Sequence, residues 1–125
     1  MKEVKTTQAP AAVGPYSQGI STGNLVYLSG QLGLDPASGK MQDGIKNQTI
    51  QSFKNIQALL ESEGLALDNV VKVLVLLADI NDFSTVNEIY AEQFSEPFPA
   101  RSAFAVKDLP LGGLVEIEVI AERNS

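Results

Sequence analysis

The hydrophobic pattern divides the chain into segments with two different periods. Residues 17–22 and 25–31 have the length of short strands, and the sequence TGN between them suits a tight turn. This part of the chain is therefore predicted to form a β-hairpin. Residues 1–16 have no regular period, and APAAVGPY within them predicts an extended loop.

Two later segments have the three- and four-residue spacing of amphipathic helices. Residues 47–63 form the first, and Gly64 follows as a residue suited to end it. Its apolar positions are Ile50, Phe53, Ile56 and Leu60. The second begins after Asp82, a suitable N-cap, and ends before Pro97 and Pro99. Its apolar positions are Phe83, Val86, Ile89, Tyr90 and Phe94.

The remaining apolar segments predict further strands. Residues 69–80, NVVKVLVLLADI, are apolar at both alternating sets of positions, as expected of a central strand. These sets are Val71, Val73, Val75 and Leu77 on one face and Leu74 and Leu76 on the other. Residues 102–106 and 114–122 complete the order β-β-α-β-α-β-β, which predicts the α+β class with one mixed sheet and both helices on one face.

The uncovered face of this sheet needs a partner of its own. Only one of the two apolar sets in residues 69–80 can meet the helices. Because monomeric proteins rarely expose a wide apolar face to water, we expect self-association into a closed cyclic oligomer.

Composition limits the class of protein. A chain of 125 residues with 44% hydrophobic residues is expected to form one soluble domain over residues 1–125. No apolar run approaches the roughly 20 residues that cross a bilayer. The N-terminal sequence also lacks the apolar core of a secretory signal. We therefore expect a cytoplasmic protein with no membrane partner.

Charge and missing residue types exclude several functions. The net charge is −6 and the nine basic residues are scattered, which disfavours a nucleic-acid partner. The absence of histidine and cysteine excludes Ser-His-Asp and Cys-His triads and zinc sites built from those residues. The phosphate-binding motifs Gly-x-x-x-x-Gly-Lys and Gly-x-Gly-x-x-Gly are both absent from the sequence. Any chemistry must come from carboxylates, tyrosine, arginine, lysine, main-chain groups and water.

One arginine and two glutamates are the main candidates for chemistry. Arg101 lies between the turn containing Pro97 and Pro99 and an apolar strand, where it is either a solvated strand end or an anion clamp. Strand alternation puts Glu116 and Glu118 on one face, as a solvated surface or as part of a pocket. If the two strands are neighbours, the guanidinium and a carboxylate can line one pocket.

Two further side chains have competing interpretations. Tyr16 follows Gly14 and Pro15 in a loop, where its ring either fills the core or covers a ligand. Lys72 lies among apolar residues, but a lysine near a strand start usually extends to solvent, which disfavours a Schiff-base role.

Several motifs occur together and in order along nearly the whole chain. They are APAAVGPYSQGI, VYLSGQL, the span from NQTIQSF to NEIY, FPARSAFAV and VEIEVIAE. In these motifs the chain resembles the RidA/YjgF family of imine deaminases. The resemblance implies a homotrimer of chorismate-mutase-like subunits, with the three sheets facing inward as a barrel and active sites between subunits. It also implies hydrolysis of 2-iminobutanoate, 2-iminopropanoate and related acids to 2-keto acids and ammonium, without a cofactor or metal.

The resemblance also assigns roles to residues. Arg101 corresponds to the arginine that binds the substrate carboxylate, and Glu116 to the carboxylate that activates the attacking water. Tyr16 corresponds to a tyrosine of the pocket lining, and Gly30, beside Ser29, to a main-chain contact with the ligand.

The second helix and the strand after Arg101 supply two more positions. Asn87 corresponds to a residue of the pocket wall, whereas Glu118 has no catalytic counterpart. Ala103 replaces a frequent family cysteine, and its main-chain carbonyl can still make the family's contact to the imine nitrogen.

Three other functions compete with imine hydrolysis. The same pocket can bind 2-keto acids as a sensor without turnover. Some relatives are described as endoribonucleases or translation inhibitors, which the acidic charge and missing histidines disfavour. A holdase-type chaperone has no signature in the sequence.

Overall fold

One mixed sheet and two helices form the fold of the chain that the computed structural model describes, residues 1–123. Residues 124 and 125, the last two of the predicted domain, lie outside the described residues. In chain order the elements are β1 (Lys2–Val4), β2 (Gly19–Thr22), β3 (Leu25–Leu28), β4 (Gln31–Leu32), α1 (Gly44–Glu61), β5 (Val70–Leu77), α2 (Phe83–Gln93), β6 (Ala100–Ala105) and β7 (Val115–Glu122). The strand order is β1-β2-β3-β7-β5-β6, with β4 beside β7, and only β5 and β6 run parallel.

The two helices pack together on one face of this sheet. Strands β5 and β7 contribute buried residues from alternating positions, namely Val73, Val75, Leu77, Val115, Ile117 and Val119. The helices contribute Phe53, Ile56, Leu59, Leu60, Val86, Ile89 and Tyr90. The predicted α+β class, with one mixed sheet and both helices on one face, is confirmed.

The helix boundaries differ slightly from the prediction. Helix α1 starts at Gly44 rather than at residue 47, and Gly64 ends it as predicted, with a positive φ of 72°. The N–H of Leu65 donates to the carbonyl of Leu60, which closes the final turn. Asp82 is the N-cap residue of α2, as predicted, but its carboxylate makes no capping hydrogen bond. Asp79 instead accepts from the N–H of Asn81 at 2.9 Å, in the short turn before α2.

Two short strands and one bulge were not predicted. Residues 1–16, which have no regular hydrophobic period, contain β1, which pairs with β2, and β4 adds a short pairing with β7. The segment APAAVGPY contains no helix or strand, as predicted. The prediction that Val71 shares a face with Val73 was wrong, since a register shift between Val70 and Lys72 turns Val71 outward to 43% exposure. Lys72 is partly exposed on the face of the sheet away from the helices, which it shares with Leu74 and Leu76.

The face of the sheet away from the helices exposes several large apolar side chains beside Glu116 and Glu118. Leu74 and Leu76 are only partly buried there. Around them Tyr27 and Phe104 are 42% and 49% exposed. The expected self-association over this face stays a prediction.

None of the helices within residues 1–123 has the length and apolar character needed to cross a bilayer.

Candidate functional site

The side chain of Arg101, at the start of β6, packs against helix α2. The Nη1 of Arg101 donates to the Oδ1 of Asn87 at 2.7 Å. Its Cζ lies 4.6 Å from the ring centre of Tyr90 and 5.4 Å from that of Phe83. This arrangement fixes the plane of a guanidinium that otherwise faces solvent.

Most of the hydrogen-bonding capacity of this guanidinium is open. A guanidinium has five N–H donors. Within residues 1–123 the bond to Asn87 is the one hydrogen bond that the Arg101 side chain makes, and no carboxylate lies within 4.0 Å. Beside it lies a cavity of about 410 Å³ lined by Asn87, Tyr90, Ala91, Phe98, Pro99 and Arg101. A charged fork next to a partly apolar cavity suits a small carboxylic acid.

Glu116 lies on the other face of the sheet, against Gly30. A Cβ placed on Gly30 would lie 2.9 Å from the Cδ of Glu116 and 3.3 Å from its Oε1. Only a residue without a side chain leaves room for the carboxylate in this position. The glycine therefore allows the Glu116 carboxylate to lie directly beside the main chain of residue 30.

The surroundings of Glu116 make it a stronger base than an ordinary glutamate. Burial raises the pKa of its carboxyl above the usual value, and the negative charge of Glu118 raises it further. A carboxylate with a raised pKa accepts a proton from water more readily.

Polar side chains of α1 anchor the strand that follows Gly30. The buried Ser52 Oγ donates to the carbonyl of Gln31 at 2.7 Å. The Nδ2 of the buried Asn55 donates to the carbonyls of Leu32 and Leu34 at 3.2 and 2.9 Å. These bonds satisfy main-chain groups of an irregular buried segment, whose position in turn sets that of Gly30.

Gln48 joins the same anchor to the start of β7. Its Oε1 accepts from the N–H of Leu114 at 2.8 Å, two residues before Glu116. The backbone of Gln48 also lies so close to Gly33 that a Cβ there would come within 2.5 Å of it. Helix α1 thus contacts both chain segments that meet at the Glu116 carboxylate.

Ser29 and Tyr16 belong to loops on the same side of the molecule. The Ser29 Oγ donates to the carbonyl of Ser17 at 2.7 Å, and its N–H donates to the carbonyl of Gln18 at 2.9 Å. Tyr16 is 53% exposed, so it does not fill the core. Its ring lines a groove of about 850 Å³ together with residues of the N-terminal segment.

Ala103 lies in the edge strand β6, two residues after Arg101. It pairs with Val75, and its side chain packs at the border of the core under the helices. The main chain of β6 has no neighbouring strand on its outer side within the described residues.

The structure does not bring Arg101 and Glu116 together within one chain. The condition for a shared pocket, that β6 and β7 are neighbours, is not met, because β5 lies between them. Arg101 pairs with Val73 and points toward the helices, whereas Glu116 pairs with Leu76 and lies on the opposite face. Ordinary strand spacings put their Cα atoms roughly 14 Å apart.

The site residues therefore form two groups. We call Arg101 and Asn87 the arginine half-site, and Ser29, Gly30 and Glu116 the glutamate half-site. One small ligand cannot contact both half-sites of the same chain.

The sequence pattern did not single out the residues that surround the two half-sites. Phe83 and Tyr90 were expected only as core positions of α2, but their rings also contact Arg101. Their spacing from Asn87, four and three residues, was the available signal. Ser52 and Asn55 gave a weaker signal, as polar residues beside the apolar stripe of α1. Residues 1–123 contain no cluster of three or more Asp, Glu, His or Cys able to hold a metal.

Comparison with known proteins identifies close relatives of the whole chain. The family model described as "Endoribonuclease L-PSP" matches residues 6–123. The bovine (Bos taurus) protein named 2-iminobutanoate/2-iminopropanoate deaminase is 52% identical over 96% of this chain and 88% of its own length. RidA from the Antarctic bacterium Psychrobacter sp. has a crystal structure that superposes with a TM-score of 0.95, at 48% identity over 98% of this chain and 99% of that one.

A third relative carries a ligand in its crystal structure. TdcF from E. coli with bound serine is 37% identical and superposes with a TM-score of 0.94 over 99% of this chain and 100% of that one. Sequence and fold agree in these comparisons along nearly the full chain. The chain belongs to the RidA/YjgF family, whose sequence model is described as endoribonuclease L-PSP.

Proposed function

We propose that this protein hydrolyses reactive 2-imino acids, such as 2-iminobutanoate and 2-iminopropanoate, to 2-keto acids and ammonium. The observation that carries the proposal is the Arg101 guanidinium, fixed in its plane with free donors beside a small cavity. The name of the bovine relative, 2-iminobutanoate/2-iminopropanoate deaminase, supports the same substrate class. We place the reaction in the cytoplasm, where pyridoxal-phosphate enzymes release such imines.

A protonated imine is already electrophilic, so the protein does not need to activate its C2 atom further. Arg101 binds the substrate carboxylate through two parallel hydrogen bonds and so orients the C2 atom. Water adds to C2 while the C=N double bond becomes a single bond, and Glu116 takes the proton that the water loses. Glu116 then returns this proton to the amino nitrogen. As the C–N bond breaks and the C2 carbonyl forms, Glu116 takes the proton of the hydroxyl group and passes it to the departing ammonia, which gives the 2-keto acid and ammonium.

The remaining site residues have roles in binding. We propose that the N–H of Gly30 donates to the substrate carboxylate, with Ser29 fixing the loop and Tyr16 covering the ligand. Asn87 orients Arg101, and the main-chain carbonyl of Ala103 accepts a hydrogen bond from the imine nitrogen. None of these steps requires a metal or a cofactor.

A closed homotrimer completes the site. We propose that three open sheet faces turn inward as a barrel, which removes Leu74, Leu76 and Phe104 from water. The arginine half-site of one subunit then meets the glutamate half-site of its neighbour. The opposite faces of Arg101 and Glu116 within one chain support this arrangement.

Two other functions, a 2-keto acid sensor and an endoribonuclease, predict different assay results. A 2-keto acid sensor would bind 2-ketobutanoate without accelerating imine loss. An endoribonuclease, the activity in the family model's description, would cleave RNA in an imine-independent assay. The net charge of −6 disfavours an RNA substrate, and we propose no nucleic-acid partner.

The test generates 2-iminobutanoate in situ from threonine with a pyridoxal-phosphate dehydratase and traps the remaining imine with semicarbazide. Wild type is expected to reduce the trapped imine, and Arg101→Ala to lose hydrolysis while keeping its oligomeric state. Arg123→Ala is the matched control, because the other arginine of the chain binds Glu63 away from both half-sites. Full activity of Arg101→Ala would contradict the proposal.

A further inference from the structure

Three side chains of α2 form a cradle for the guanidinium of Arg101. Phe83, Asn87 and Tyr90 are spaced by four and three residues, which aligns them along one face of the helix. The two rings contact the flat guanidinium, and the Asn87 amide bonds one nitrogen. The cradle thus restricts both the plane and the rotation of the group.

The cradle contains no negative charge. Within residues 1–123 the salt bridge of the chain joins Arg123 and Glu63, and no acidic side chain pairs with Arg101. A carboxylate would also hold the arginine, but it would compete with an anionic ligand for the same donors. Aromatic rings and a neutral amide hold the arginine and leave its charge available.

We propose that Phe83 and Tyr90 are positioning residues that preorganise Arg101 for an incoming carboxylate, an inference that rests on the proposed function. A free arginine side chain loses about 2 kcal/mol of rotamer entropy when it is fixed. In this protein folding fixes the side chain in advance, so binding of the substrate does not meet this cost. The rings favour substrate and transition state equally and therefore act on KM rather than on kcat.

Phe83 is less deeply packed in the core than Tyr90 is. The Tyr90 ring also contacts Phe53 and Phe94 in a buried aromatic cluster. Phe83 is only partly buried, so its replacement tests the contact with Arg101 at small cost to the core. Phe94 offers the matched control, since it packs on the same cluster and makes no ring contact with Arg101 among those recorded within residues 1–123.

The experiment compares Phe83→Leu, Tyr90→Leu, Tyr90→Phe and Phe94→Leu with wild type. Imine hydrolysis gives KM and kcat, and calorimetry gives the Kd of 2-ketobutanoate. We expect Phe83→Leu to raise KM and Kd about three- to tenfold with kcat within about twofold of wild type. Tyr90→Phe retains the ring and is expected to keep the wild-type KM.

A second readout does not depend on activity. The chain has two arginines, so the side-chain Nε–Hε spectrum contains two signals, and Arg123 serves as an internal reference. We expect the Arg101 signal to be shifted upfield by the rings and motionally restricted in wild type. Both properties are expected to be lost in Phe83→Leu and Tyr90→Leu and kept in Phe94→Leu, with Arg123 unchanged throughout.

The outcomes separate this inference from the proposed function. Unchanged KM, Kd and Arg101 signal in Phe83→Leu, with an active wild type, would overturn the cradle alone. An equal rise of KM in Phe94→Leu would also overturn it, because loss of packing would then be sufficient. A wild type that neither hydrolyses imines nor binds 2-ketobutanoate would overturn the proposed function. It would also overturn the preorganising role, even if the Arg101 side-chain signal were motionally restricted.

Discussion

At the scale of single residues, Glu116 shows how neighbouring groups set the position and the pKa of one carboxylate. The missing side chain of Gly30 lets the carboxylate approach the main chain, and partial burial there raises its pKa. Glu118, two residues further along the same strand face, adds a repulsive charge. The sequence revealed the shared strand face of these two glutamates but not the contact with Gly30.

The first prediction concerns the pH dependence of activity. Glu116 must be ionised to accept a proton, so the profile of kcat/KM against pH has a rising limb. Because the pKa of Glu116 is raised, the midpoint of this limb is expected at a higher pH than the ordinary pKa of a glutamate. Replacing Glu118 with Gln removes the repulsion that raises the pKa of Glu116 and moves this limb to lower pH. Glu122→Gln, further along the same strand, is expected to leave the limb in place. A pH–rate profile for the three proteins checks this, and an unmoved limb in Glu118→Gln would contradict the assigned cause.

The second prediction concerns stability. Because folding raises the pKa of Glu116, the carboxyl contributes stability below its unfolded pKa and loses that contribution as pH rises through its folded pKa. The ionised carboxylate therefore costs stability at neutral pH. Glu116→Gln is expected to unfold at a higher temperature than wild type at pH 7, with a smaller difference at pH 4, while losing activity. Thermal unfolding at the two pH values measures this, and an unchanged difference would argue against Glu116 as the origin.

The third prediction concerns the buried phenol of Tyr90. Its hydroxyl has no hydrogen-bond partner in the described part of the chain, and burial raises its pKa. Removing an unsatisfied buried hydroxyl is expected to raise the free energy of unfolding of Tyr90→Phe by about 1 kcal/mol. Urea unfolding tests this, and destabilisation would mean that the hydroxyl is bonded in the assembled protein.

At the scale of elements, helix α1 packs with two chemically different surfaces. Its apolar stripe faces the sheet, and its polar residues Ser52 and Asn55 bond the main chain around β4. Gln48, on the same polar surface, bonds the carbonyl of Gln42 and the N–H of Leu114. Periodicity predicted the apolar stripe and the approximate extent of the helix. The polar surface escaped prediction because its partners are carbonyls 21 to 23 residues away along the chain for Ser52 and Asn55.

The fourth prediction tests this polar surface. In Ser52→Ala the buried carbonyl of Gln31 loses its side-chain donor, which is expected to cost about 1–2 kcal/mol of unfolding free energy. Because β4 follows Gly30 directly, we also expect kcat to fall several-fold. Ser62→Ala removes a hydroxyl that bonds only within the same helix and is expected to keep kcat. Equal kcat values for the two variants would limit Ser52 to a structural role.

At the scale of the whole molecule, the order of strands separates the two half-sites. Strand β5 lies between β6 and β7, and pleating sends Arg101 and Glu116 to opposite faces. We propose that a closed ring of identical subunits covers the apolar side chains of this face and also joins the two half-sites.

The fifth prediction uses this division. Arg101→Ala and Glu116→Gln are each expected to be inactive alone. When the two are co-refolded in equal amounts, a quarter of the sites, one half times one half, combine two intact half-sites, so activity returns to about a quarter of wild type. Simple mixing without subunit exchange is the control. No recovery in verified mixed oligomers would place both residues in one subunit's site.

The sequence by itself determined the helices, the principal strands and the α+β class, because the periods of apolar residues match the geometry of each element. Its motifs also pointed to Arg101 and Glu116 through resemblance to a family. Only the tertiary structure decided which strands are neighbours, where the bulge turns Val71 outward, and which face each charged group occupies. These features depend on contacts between residues distant in the chain, and local periodicity does not encode such contacts.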